Sequence, residues 1–384
     1  MVDTARLIVF GARVAARYFP RYVRLGNLMF VFQWADVDDV LARDGDFRIG
    51  PVNRERIEAV SGPFILGMDR SPELFAQRTS TYASLAAADF TPVRQILRDE
   101  PVRLLTEAAA RDGTIDVVNG YARLVAGRVA AAVFGIKGPS EPDLLRVARA
   151  VFQETFLNLG NDEKVRKTGI AAGQELKAWI VAERQARLSK GVLGDDMLGN
   201  LMARERDGLV SEADVTHIVA GMLVGSIDTT ATVVSNIVVE ILSDWRLAEG
   251  IRRDLDDRRR LYGWCWEALR RRPHNPVVLR EAIEGTTAAG VSVKAGTRVF
   301  AVTISAMQDD RVFDQPATLN PDRPPHLYMH FGRGMHECAG RDVNALQIPA
   351  LIGALMRFNP TGAPKVKNAG PFPDKFVVRI RSPQ

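Results

Sequence analysis

The sequence predicts a mainly α-helical protein with a minor β-sheet region. Segments with apolar residues at helical spacing fill most of the chain, whereas strand-like alternation is confined to a few short runs. The 384 residues, 46% of them hydrophobic and 25% charged, suffice for a large hydrophobic core. No low-complexity linker, charge block or repeat divides the chain, so we predict a single domain over residues 1–384.

The N-terminal part predicts a hairpin followed by loops. Residues 22–34 have a strand-like pattern on both sides of Gly26-Asn27, which is a turn sequence. A short helix is expected over residues 35–42. Residues 47–67 show little periodicity and several Gly and Pro, which is typical of loops. We therefore expect the hairpin and a loop-rich lid within about residues 20–70.

Helical periodicity dominates the middle of the chain. The predicted helices cover residues 92–111, 120–134, 141–159, 165–188, 195–206, 211–244, 245–257 and 260–271. The predicted strands cover residues 277–283, 291–293, 298–302 and 376–380. The longest segment, 211–244, is the predicted central helix. It opens on Ser211 with Asp214 three residues later, which is a capping-box pattern.

The number and positions of the two cysteines limit the kinds of cysteine site that this chain can form. So few in 384 residues indicate a reducing compartment without structural disulfides, and they do not suit a zinc site. Cys265, between two tryptophans, is interpreted as a buried helix residue. Cys338 lies in the run FGRGMHECAG, residues 331–340, just before a helical pattern. A thiol ionises more easily near a helix N-terminus and a metal cation, so Cys338 suits a single thiolate ligand on a haem iron.

The other residues of this run fit the same chemistry. Gly332 and Gly334 permit a close approach of the backbone, whose amides can donate hydrogen bonds to sulfur. Phe331 can lie against the sulfur and a macrocycle, and His336 can point at a haem propionate. Gly340 removes a side chain where the following helix would pass under the macrocycle. A lone cysteine in a glycine-rich turn is usually an inert buried thiol, and only the complete run favours the ligand.

A second motif lies in the central helix. Gly221, Gly225, Asp228, Thr229 and Thr232 share one helix face, which is small and polar among apolar neighbours. The Thr229 hydroxyl is expected to donate to the Gly225 carbonyl. A carboxylate beside a hydroxyl in a groove suits proton delivery to bound dioxygen. The alternative is a buried helix that packs through small residues, with Asp228 in a salt bridge.

These motifs carry a family resemblance. The pattern F-x-x-G-x-H-x-C-x-G resembles the signature of the cytochrome P450 family, and the chain looks like a bacterial soluble haem-thiolate monooxygenase. Residues 225–229 are similar to the family's acid–alcohol segment, with Ser226 in place of its second glycine. Two structural motifs, E-x-x-R and F-x-x-P…R, are matched by Glu267, Arg270, Phe313, Pro316 and Arg323.

The resemblance implies a fold and a set of cofactor contacts. It implies the cytochrome P450 fold, with haem b (iron protoporphyrin IX) between the central helix and the Cys-bearing loop 331–340. The structural residues that would hold this loop are Glu267, Arg270 and Arg323. The residues that would hold the haem propionates are Arg78, Arg280 and His336. The family often has a histidine where this chain has Leu74.

The substrate pocket is expected to be mainly apolar, as ligand sites tend to be. It should be formed by the lid, the central helix, the first strand after residue 271 and the C-terminal region. Its predicted residues are Leu223, Val224, Gly225, Val277, Val278 and Phe372.

The implied activity is insertion of one atom of O2 into an apolar organic small molecule, with Asp228 and Thr229 as the catalytic pair. The 384 residues contain no flavin or iron–sulfur module, so electrons would come from a separate ferredoxin or flavodoxin with its reductase. The candidate charges for docking that partner are Arg271, Arg272, Arg333 and Arg341.

Alternatives remain at this point. They are a peroxide-dependent or isomerising haem-thiolate enzyme, a non-catalytic haem-binding sensor, and a haem-free helical binding module. The net charge of +5 is not clustered into a basic stripe with aromatic residues, so no nucleic-acid partner is expected. His217, Asp228 and Asn236 interrupt the longest apolar run, so no membrane span is expected. The predicted location is the cytoplasm.

Overall fold

The computed structural model of the protein describes residues 4–158, 160–370 and 372–383, with side chains from residue 11 onward. The helices are α1 (Thr4–Tyr18), α2 (Trp34–Ala42), α3 (Gly50–Ser61), α4 (Pro72–Ala86), α5 (Thr91–Arg111), α6 (Arg123–Phe134), α7 (Glu141–Phe152), α8 (Glu163–Lys190), α9 (Met197–Arg206), α10 (Glu212–Val224), α11 (Ile227–Ser243), α12 (Trp245–Arg253), α13 (Arg258–Arg271), α14 (Thr303–Ala306) and α15 (Arg341–Arg357). The strands are β1 (Tyr22–Leu25), β2 (Leu28–Val31), β3 (Phe47–Arg48), β4 (Thr114–Asp116), β5 (Val278–Ala282), β6 (Thr286–Ala288), β7 (Val291–Val293), β8 (Arg298–Ala301), β9 (Lys367–Ala369), β10 (Phe372–Lys375) and β11 (Val377–Arg379).

The chain divides into two compact units. The sheet unit joins Met1–Val52 to Asn236–Arg341, and the helical unit joins Asn53–Ser235 to Asp342–Gln384. The mainly helical class with a minor sheet is confirmed. The single domain over residues 1–384 stays a prediction.

The sheet unit is built on a five-stranded sheet with the order β1-β2-β8-β5-β3. The predicted hairpin of β1 and β2 is present, and Gly26 in its turn has a φ of +59°, which glycine adopts without strain. Strand β8 runs parallel to β2 and antiparallel to β5. This pairing with β8 fixes the position of the residues of β5.

Helix α13 is a buried helix of the sheet unit. It starts after Asp257, whose carboxylate accepts a hydrogen bond from the Arg260 amide. A Cβ on Gly263 would lie 1.9 Å from the Pro321 carbonyl oxygen, so glycine is needed for this close approach. The loop around Pro321 therefore lies directly on α13. Cys265 is fully buried on this helix, as predicted.

The helical unit surrounds α10, which is buried and packs against α4, α6, α7, α8 and α9. The predicted capping box is present: the Ser211 side chain accepts from the Asp214 amide, and the Asp214 side chain accepts from the Ser211 amide. Two π-helical turns, Val117–Ala122 and Gln153–Leu157, adjoin α6 and α7. Leu159, the predicted end of the 141–159 helix, lies outside the described residues.

The lid prediction was wrong in part, because residues 47–67 contain helix α3 rather than loop alone. Pro51 lies in the first turn of α3, where its missing N–H costs little. Ile57 and Val60 are buried three residues apart, which gives the helix an apolar face. The glycines and prolines of residues 47–67 favoured a loop prediction, although the segment contains helical spacing.

Further helical segments differ from the expectation. Helices α1 and α4 were not predicted, although α4 opens on Ser71 and Pro72, an N-cap followed by a proline in the first turn. The single central helix over 211–244 was wrong, because α10 ends at Val224 and α11 begins at Ile227. Gly225 and Ser226 form a two-residue turn between them.

Two segments among the described residues are long and apolar enough to cross a membrane, by length and composition alone: Val117–Phe134 and Glu212–Ser243. Their apolar windows are 67% and 78% buried inside the fold, and core helices of soluble proteins pass the same test. The expectation of no membrane span stays a prediction.

Candidate active site

The Cys338 loop closes on itself through backbone hydrogen bonds. The Cys338 amide donates to the Phe331 carbonyl oxygen over 2.8 Å. The Glu337 amide donates to the Gly334 carbonyl over 3.2 Å, and the Arg341 amide donates to the Cys338 carbonyl over 3.3 Å. The last bond joins the loop to the first residue of α15. The cysteine is therefore held in a defined turn before the helix.

Two glycines allow this turn. Gly332 and Gly334 have φ values of +71° and +67°, in the left-handed region that residues with a Cβ avoid. A Cβ on Gly334 would also lie 3.0 Å from the Ala42 carbonyl oxygen at the end of α2. Gly334 is therefore required both by its backbone conformation and by a close neighbour.

Cys338 is half-buried. Burial raises the pKa of its thiol, and a hydrogen bond from the Gly340 amide lowers it by less. A donor on the sulfur stabilises a thiolate, and a metal cation supplies the charge that deprotonates it. For Cys265, in contrast, burial raises the pKa of the thiol with no opposing hydrogen bond. Of the two cysteines, Cys338 has the chemistry of a ligand.

Aromatic side chains support the loop from α13. The Phe331 ring lies 5.5 Å from the Trp266 ring, and the His330 ring meets Trp266 edge-on at 5.6 Å. His330 also stacks on Tyr328 at 5.1 Å and places Nε2 3.1 Å from the Trp266 carbonyl oxygen. Burial lowers the pKa of His330 to about 3, so the ring is neutral. Sequence reasoning missed these partners, and the signal was an aromatic run directly before Phe331.

The predicted structural residues meet in one buried network. Glu267 and Arg270 are both fully buried and form two hydrogen bonds, of 2.8 and 3.0 Å. Arg323 lies 3.4 Å from Glu267, and the Tyr328 hydroxyl donates to the same carboxylate over 2.8 Å. Phe313 lies 5.3 and 5.8 Å from the guanidinium carbons of the two arginines. The network joins α13 to the segment that precedes the Cys338 loop.

Arg280 supplies a direct test of whether this chain fits a haem. Its side chain is 4% exposed on β5, and it donates a hydrogen bond to the Leu279 carbonyl. Burial lowers the pKa of Arg280 to about 10. Within the described part of the chain, no carboxylate forms a salt bridge with it. A buried cation needs an anion, and a haem propionate is an anion of the right kind.

The other two predicted propionate partners are less enclosed. Arg78 on α4 is half-buried, with its guanidinium 4.3 Å from the Tyr82 ring centroid. His336 is half-buried in the short turn Gly334–His336. Leu74, which stands where the family often has histidine, is fully buried. Propionate binding by Arg78 and His336 stays a prediction.

The helical unit carries the acid–alcohol residues. The Thr229 hydroxyl donates to the Gly225 carbonyl, as expected, and the Ser226 hydroxyl donates to the Leu223 carbonyl over 2.9 Å. These side-chain bonds take over carbonyls that amides of a continuous helix would use, which explains the break after Val224. Gly225, Ser226 and Thr229 are half-buried, so this stretch of the helix faces accessible space.

The space beside this helix is open at one glycine and filled at another. A Cβ on Gly225 would meet only backbone oxygens of its own helix, both 3.9 Å away. A Cβ on Gly221 would lie 2.3 Å from the Phe64 ring. The small-residue face therefore leaves room at Gly225, where an oxygen-binding groove was expected, but not at Gly221.

Asp228 is 4% exposed and is held by two arginines. Its Oδ1 lies 2.9 Å from Nε of Arg123 and 2.7 Å from Nε of Arg149. Its Oδ2 is buried and has no hydrogen-bond partner among the described residues. The alternative of a salt bridge at Asp228 is thus present in the structure, and it leaves one carboxylate oxygen available.

The predicted substrate-pocket residues lie in both units. Leu223 and Val224 are buried in the helical unit, where the Phe372 ring meets Phe152 edge-on at 5.1 Å. Val277, which is 40% exposed, and the half-buried Val278 belong to the sheet unit. Their role in substrate binding stays a prediction.

The expected docking charges are already engaged within the chain. Arg271 and Arg272 both pair with Glu240. Arg333 pairs with Asp38, and Arg341 pairs with Glu337. Each of these four arginines thus pairs with a carboxylate of its own chain, and their role in docking a redox partner stays a prediction.

Comparison with known proteins gives the family. The cytochrome P450 family model matches residues 151–380, more than half of the chain. Mycinamicin IV hydroxylase/epoxidase of Micromonospora griseorubida is 26% identical over 85% of this chain and 81% of its own length. Cytochrome P450 109 of Bacillus spizizenii is 25% identical over 88% and 80%. The crystal structure of CalO2 matches with a TM-score of 0.84 at 21% identity, covering 99% of this chain and 97% of CalO2.

The chain belongs to the cytochrome P450 family. It is a haem-thiolate monooxygenase, an oxidoreductase that binds haem b and uses O2 to oxidise an organic substrate. The predictions of fold, cofactor and enzyme class are confirmed, and the haem-free alternative is wrong. Within the sheet unit, the thiol of Cys338 and the buried guanidinium of Arg280 fit the cofactor.

Proposed function

We propose that this monooxygenase delivers protons through Thr229 and Asp228 and oxidises an apolar small molecule with electrons from separate proteins. The observation that carries the proton step is the hydrogen bond from Thr229 to the Gly225 carbonyl at the break between α10 and α11. This bond orients the hydroxyl and keeps the helix open beside Gly225. Asp228 precedes Thr229 directly and has one carboxylate oxygen without a partner among the described residues.

Bound haem supplies the redox chemistry of oxygen activation, with a thiolate ligand that favours cleavage of the O–O bond. Cys338 is the proposed ligand, and the Gly340 amide modulates its electron donation through the hydrogen bond to sulfur. Arg280 neutralises a propionate. Thr229 donates a proton at Oγ1. Asp228 takes up a proton from water at its unpaired Oδ2 and passes it to Thr229, which restores the hydroxyl.

The proposed substrate is apolar because the predicted pocket residues are apolar side chains and one glycine. Two relatives are named for mycinamicin IV and for 20-oxo-5-O-mycaminosyltylactone. These compounds are therefore the first to screen. A shift of the ferric spin state on addition of a compound reports its binding next to the iron.

Separate electron carriers are proposed because P450 monooxygenases generally receive their electrons from redox partners. A ferredoxin or a flavodoxin with its reductase fits this arrangement. We also propose a cytoplasmic location, because a reducing compartment suits a chain whose two cysteines are both free thiols.

A peroxide-driven enzyme is the competing proposal. An enzyme that takes oxygen from peroxide does not need proton delivery to O2, so the presence of both Asp228 and Thr229 argues against it. Product formation with peroxide alone, without any gain from NAD(P)H and redox partners, would favour it.

The decisive experiment compares Thr229→Ala with Thr230→Val. Thr230 also bonds back to a carbonyl, that of Ser226 over 2.7 Å, but it is buried. We expect Thr229→Ala to lower product per NAD(P)H and raise peroxide release by about ten-fold or more, because general acid–base groups contribute factors of at least this size. Thr230→Val should keep the coupling, that is, the amount of product formed per NAD(P)H. Equal coupling in both variants would reject the proton role of Thr229.

A further inference from the structure

Arg149 on α7 is shared between two carboxylates. Its Nε donates to Asp228 Oδ1 over 2.7 Å, and its Nη1 donates to Asp374 Oδ1 over 3.2 Å. Asp374 lies on β10, and its side chain is 40% exposed. One guanidinium therefore connects the buried acid of the oxygen-side helix to a partly exposed residue of the β9–β10 hairpin.

Other contacts hold this hairpin in place. The Phe372 ring meets Phe152, at the end of α7, edge-on at 5.1 Å. The Asn119 side chain donates to the Asp374 backbone carbonyl over 2.6 Å. These two contacts position the backbone next to the Asp374 carboxylate. The position of Asp374 is thus set by the fold and not by its ion pair alone.

The four charges form a balanced group. Arg123 and Arg149 contribute two positive charges, and Asp228 and Asp374 contribute two negative charges. Arg123 has its own anchor, because its Nη2 donates to the Leu145 carbonyl over 2.7 Å. Burial lowers the pKa of Arg123, and the charges of Asp228 and Asp374 oppose that shift, so Asp374 acts across the group. Removing the negative charge of Asp374 leaves two arginines facing Asp228 alone.

We infer that Asp374 is a positioning residue for proton delivery. Its carboxylate competes with Asp228 for Arg149, so Arg149 binds Asp228 less tightly and the Asp228 carboxylate stays mobile. Without the charge of Asp374, Arg149 binds Asp228 more tightly, and the Asp228 carboxylate loses mobility. Proton transfer to Thr229 then becomes slower. This inference rests on the proposed proton role of Asp228 and adds a residue that tunes that site.

The experiment uses the holoenzyme with a surrogate ferredoxin and reductase and a substrate found by spin-state screening. The variant is Asp374→Asn, and Asp374→Glu is the rescue. Glu175→Gln is the matched control. Glu175 pairs over 2.7 Å with Arg146, which lies on α7 like Arg149, and the Glu175 side chain has a similar exposure of 37%. Asp228→Asn reports on the proposed function itself.

We expect Asp374→Asn to lower product per NAD(P)H about two- to five-fold, the size expected for a partly exposed ion pair. The solvent deuterium isotope effect should rise, KM should stay unchanged, and Asp374→Glu should restore coupling. Glu175→Gln should behave like the parent protein. If Asp228→Asn loses coupling while Asp374→Asn matches Glu175→Gln, the inference is wrong and the proposed function stands. If Asp228→Asn keeps coupling, both are wrong.

A second measurement requires no turnover. Urea unfolding of the parent, Asp228→Asn, Asp374→Asn and the double variant forms a double-mutant cycle. Arg149 keeps one of its two carboxylates in each single variant and neither in the double variant. The free energy of unfolding should therefore fall by more in the double variant than the sum of its decreases in the two single variants. The same cycle with Glu175→Gln in place of Asp374→Asn should be additive. Additivity in the first cycle would contradict the sharing of Arg149.

Discussion

The Tyr328 hydroxyl donates to Oε1 of Glu267 over 2.8 Å, and both side chains are buried. Glu267 lies on α13, whereas Tyr328 lies three residues before Phe331, where the Cys-bearing run begins. The carboxylate also accepts from the Asn320 amide over 3.0 Å. One buried acid therefore ties two separate segments of the chain to α13.

Neutralising this acid should destabilise the protein strongly. Glu267→Gln leaves the buried Arg270 without its counter-charge, and breaking a buried ion pair costs about 3–5 kcal/mol. We expect this loss in urea unfolding, together with a low haem content. Glu107→Gln, which breaks the exposed pair of Glu107 with Arg103, is the control and should unfold like the parent. Similar unfolding of the two variants would contradict a structural role for Glu267.

The two cysteines allow a clean test of the iron ligand. Cys338→Ser should abolish the carbon-monoxide difference band in the Soret region, because that band requires a thiolate on the iron. Cys265→Ser should retain the band, since Cys265 is fully buried on α13. Visible spectra of both variants after reduction under carbon monoxide provide the measurement. An unchanged band in Cys338→Ser would disprove the ligand assignment.

Replacing Arg280 should stabilise the haem-free protein but weaken its hold on haem. Burying a charge without a carboxylate partner costs several kcal/mol, so replacing it by an apolar side chain stabilises a protein. Arg280→Met should therefore raise the urea midpoint of the haem-free protein, while haem transfers from it to apomyoglobin more quickly.

The control for this prediction is Arg298→Met, which changes an exposed arginine on the neighbouring strand β8. It should leave both the urea midpoint and the rate of haem transfer unchanged. Haem loss from Arg280→Met that is no faster than from the parent would refute the propionate contact.

His330 should make the protein sensitive to acid. Burial lowers its folded-state pKa from 6.5 to about 3. Below pH 6.5 the unfolded chain takes up a proton that the folded chain refuses, so stability falls as the pH drops from 6.5 towards 3. His330→Phe should remove up to about 1.4 kcal/mol per pH unit from that slope. Urea unfolding at several pH values measures it, and an unaltered slope would speak against a neutral buried His330.

The loop glycines should differ in their tolerance of a methyl group. Both Gly332→Ala and Gly334→Ala carry the penalty of a left-handed backbone, about 1–2 kcal/mol. Only Gly334 is also crowded, by the Ala42 carbonyl oxygen 3.0 Å away, whereas the nearest atom at Gly332 is 3.5 Å away. We expect the lower urea midpoint and lower haem content for Gly334→Ala. The reverse order would show that the contact with α2 is unimportant.

Much of the candidate site could be predicted because its chemistry is local in the chain. The ligand run around Cys338 and the hydroxyl-to-carbonyl bond from Thr229 to Gly225 each involve residues close together in sequence. The pair of Glu267 and Arg270 is likewise one turn of a single helix. Helical spacing and turn chemistry are enough to bring such residues together.

What could not be predicted depends on distant segments and on local competition for hydrogen bonds. The break after Val224 arises where side chains compete with amides for carbonyls, and a periodic apolar pattern does not record that competition. The neutralised state of Arg333 depends on Asp38, 295 residues away in the chain. The partners of Tyr328 and His330 lie on α13, more than 60 residues away.

The sequence by itself determined the mainly helical class, and it predicted the thiolate ligand and the acid–alcohol pair, because short-range spacing encodes all three. Tertiary structure alone decided that Asp228 shares Arg149 with Asp374 and that Arg280 is buried without a carboxylate among the described residues. The physical reason is that charge pairing and burial depend on which distant residues the folded backbone brings within a few ångströms, and a linear pattern carries no such distances.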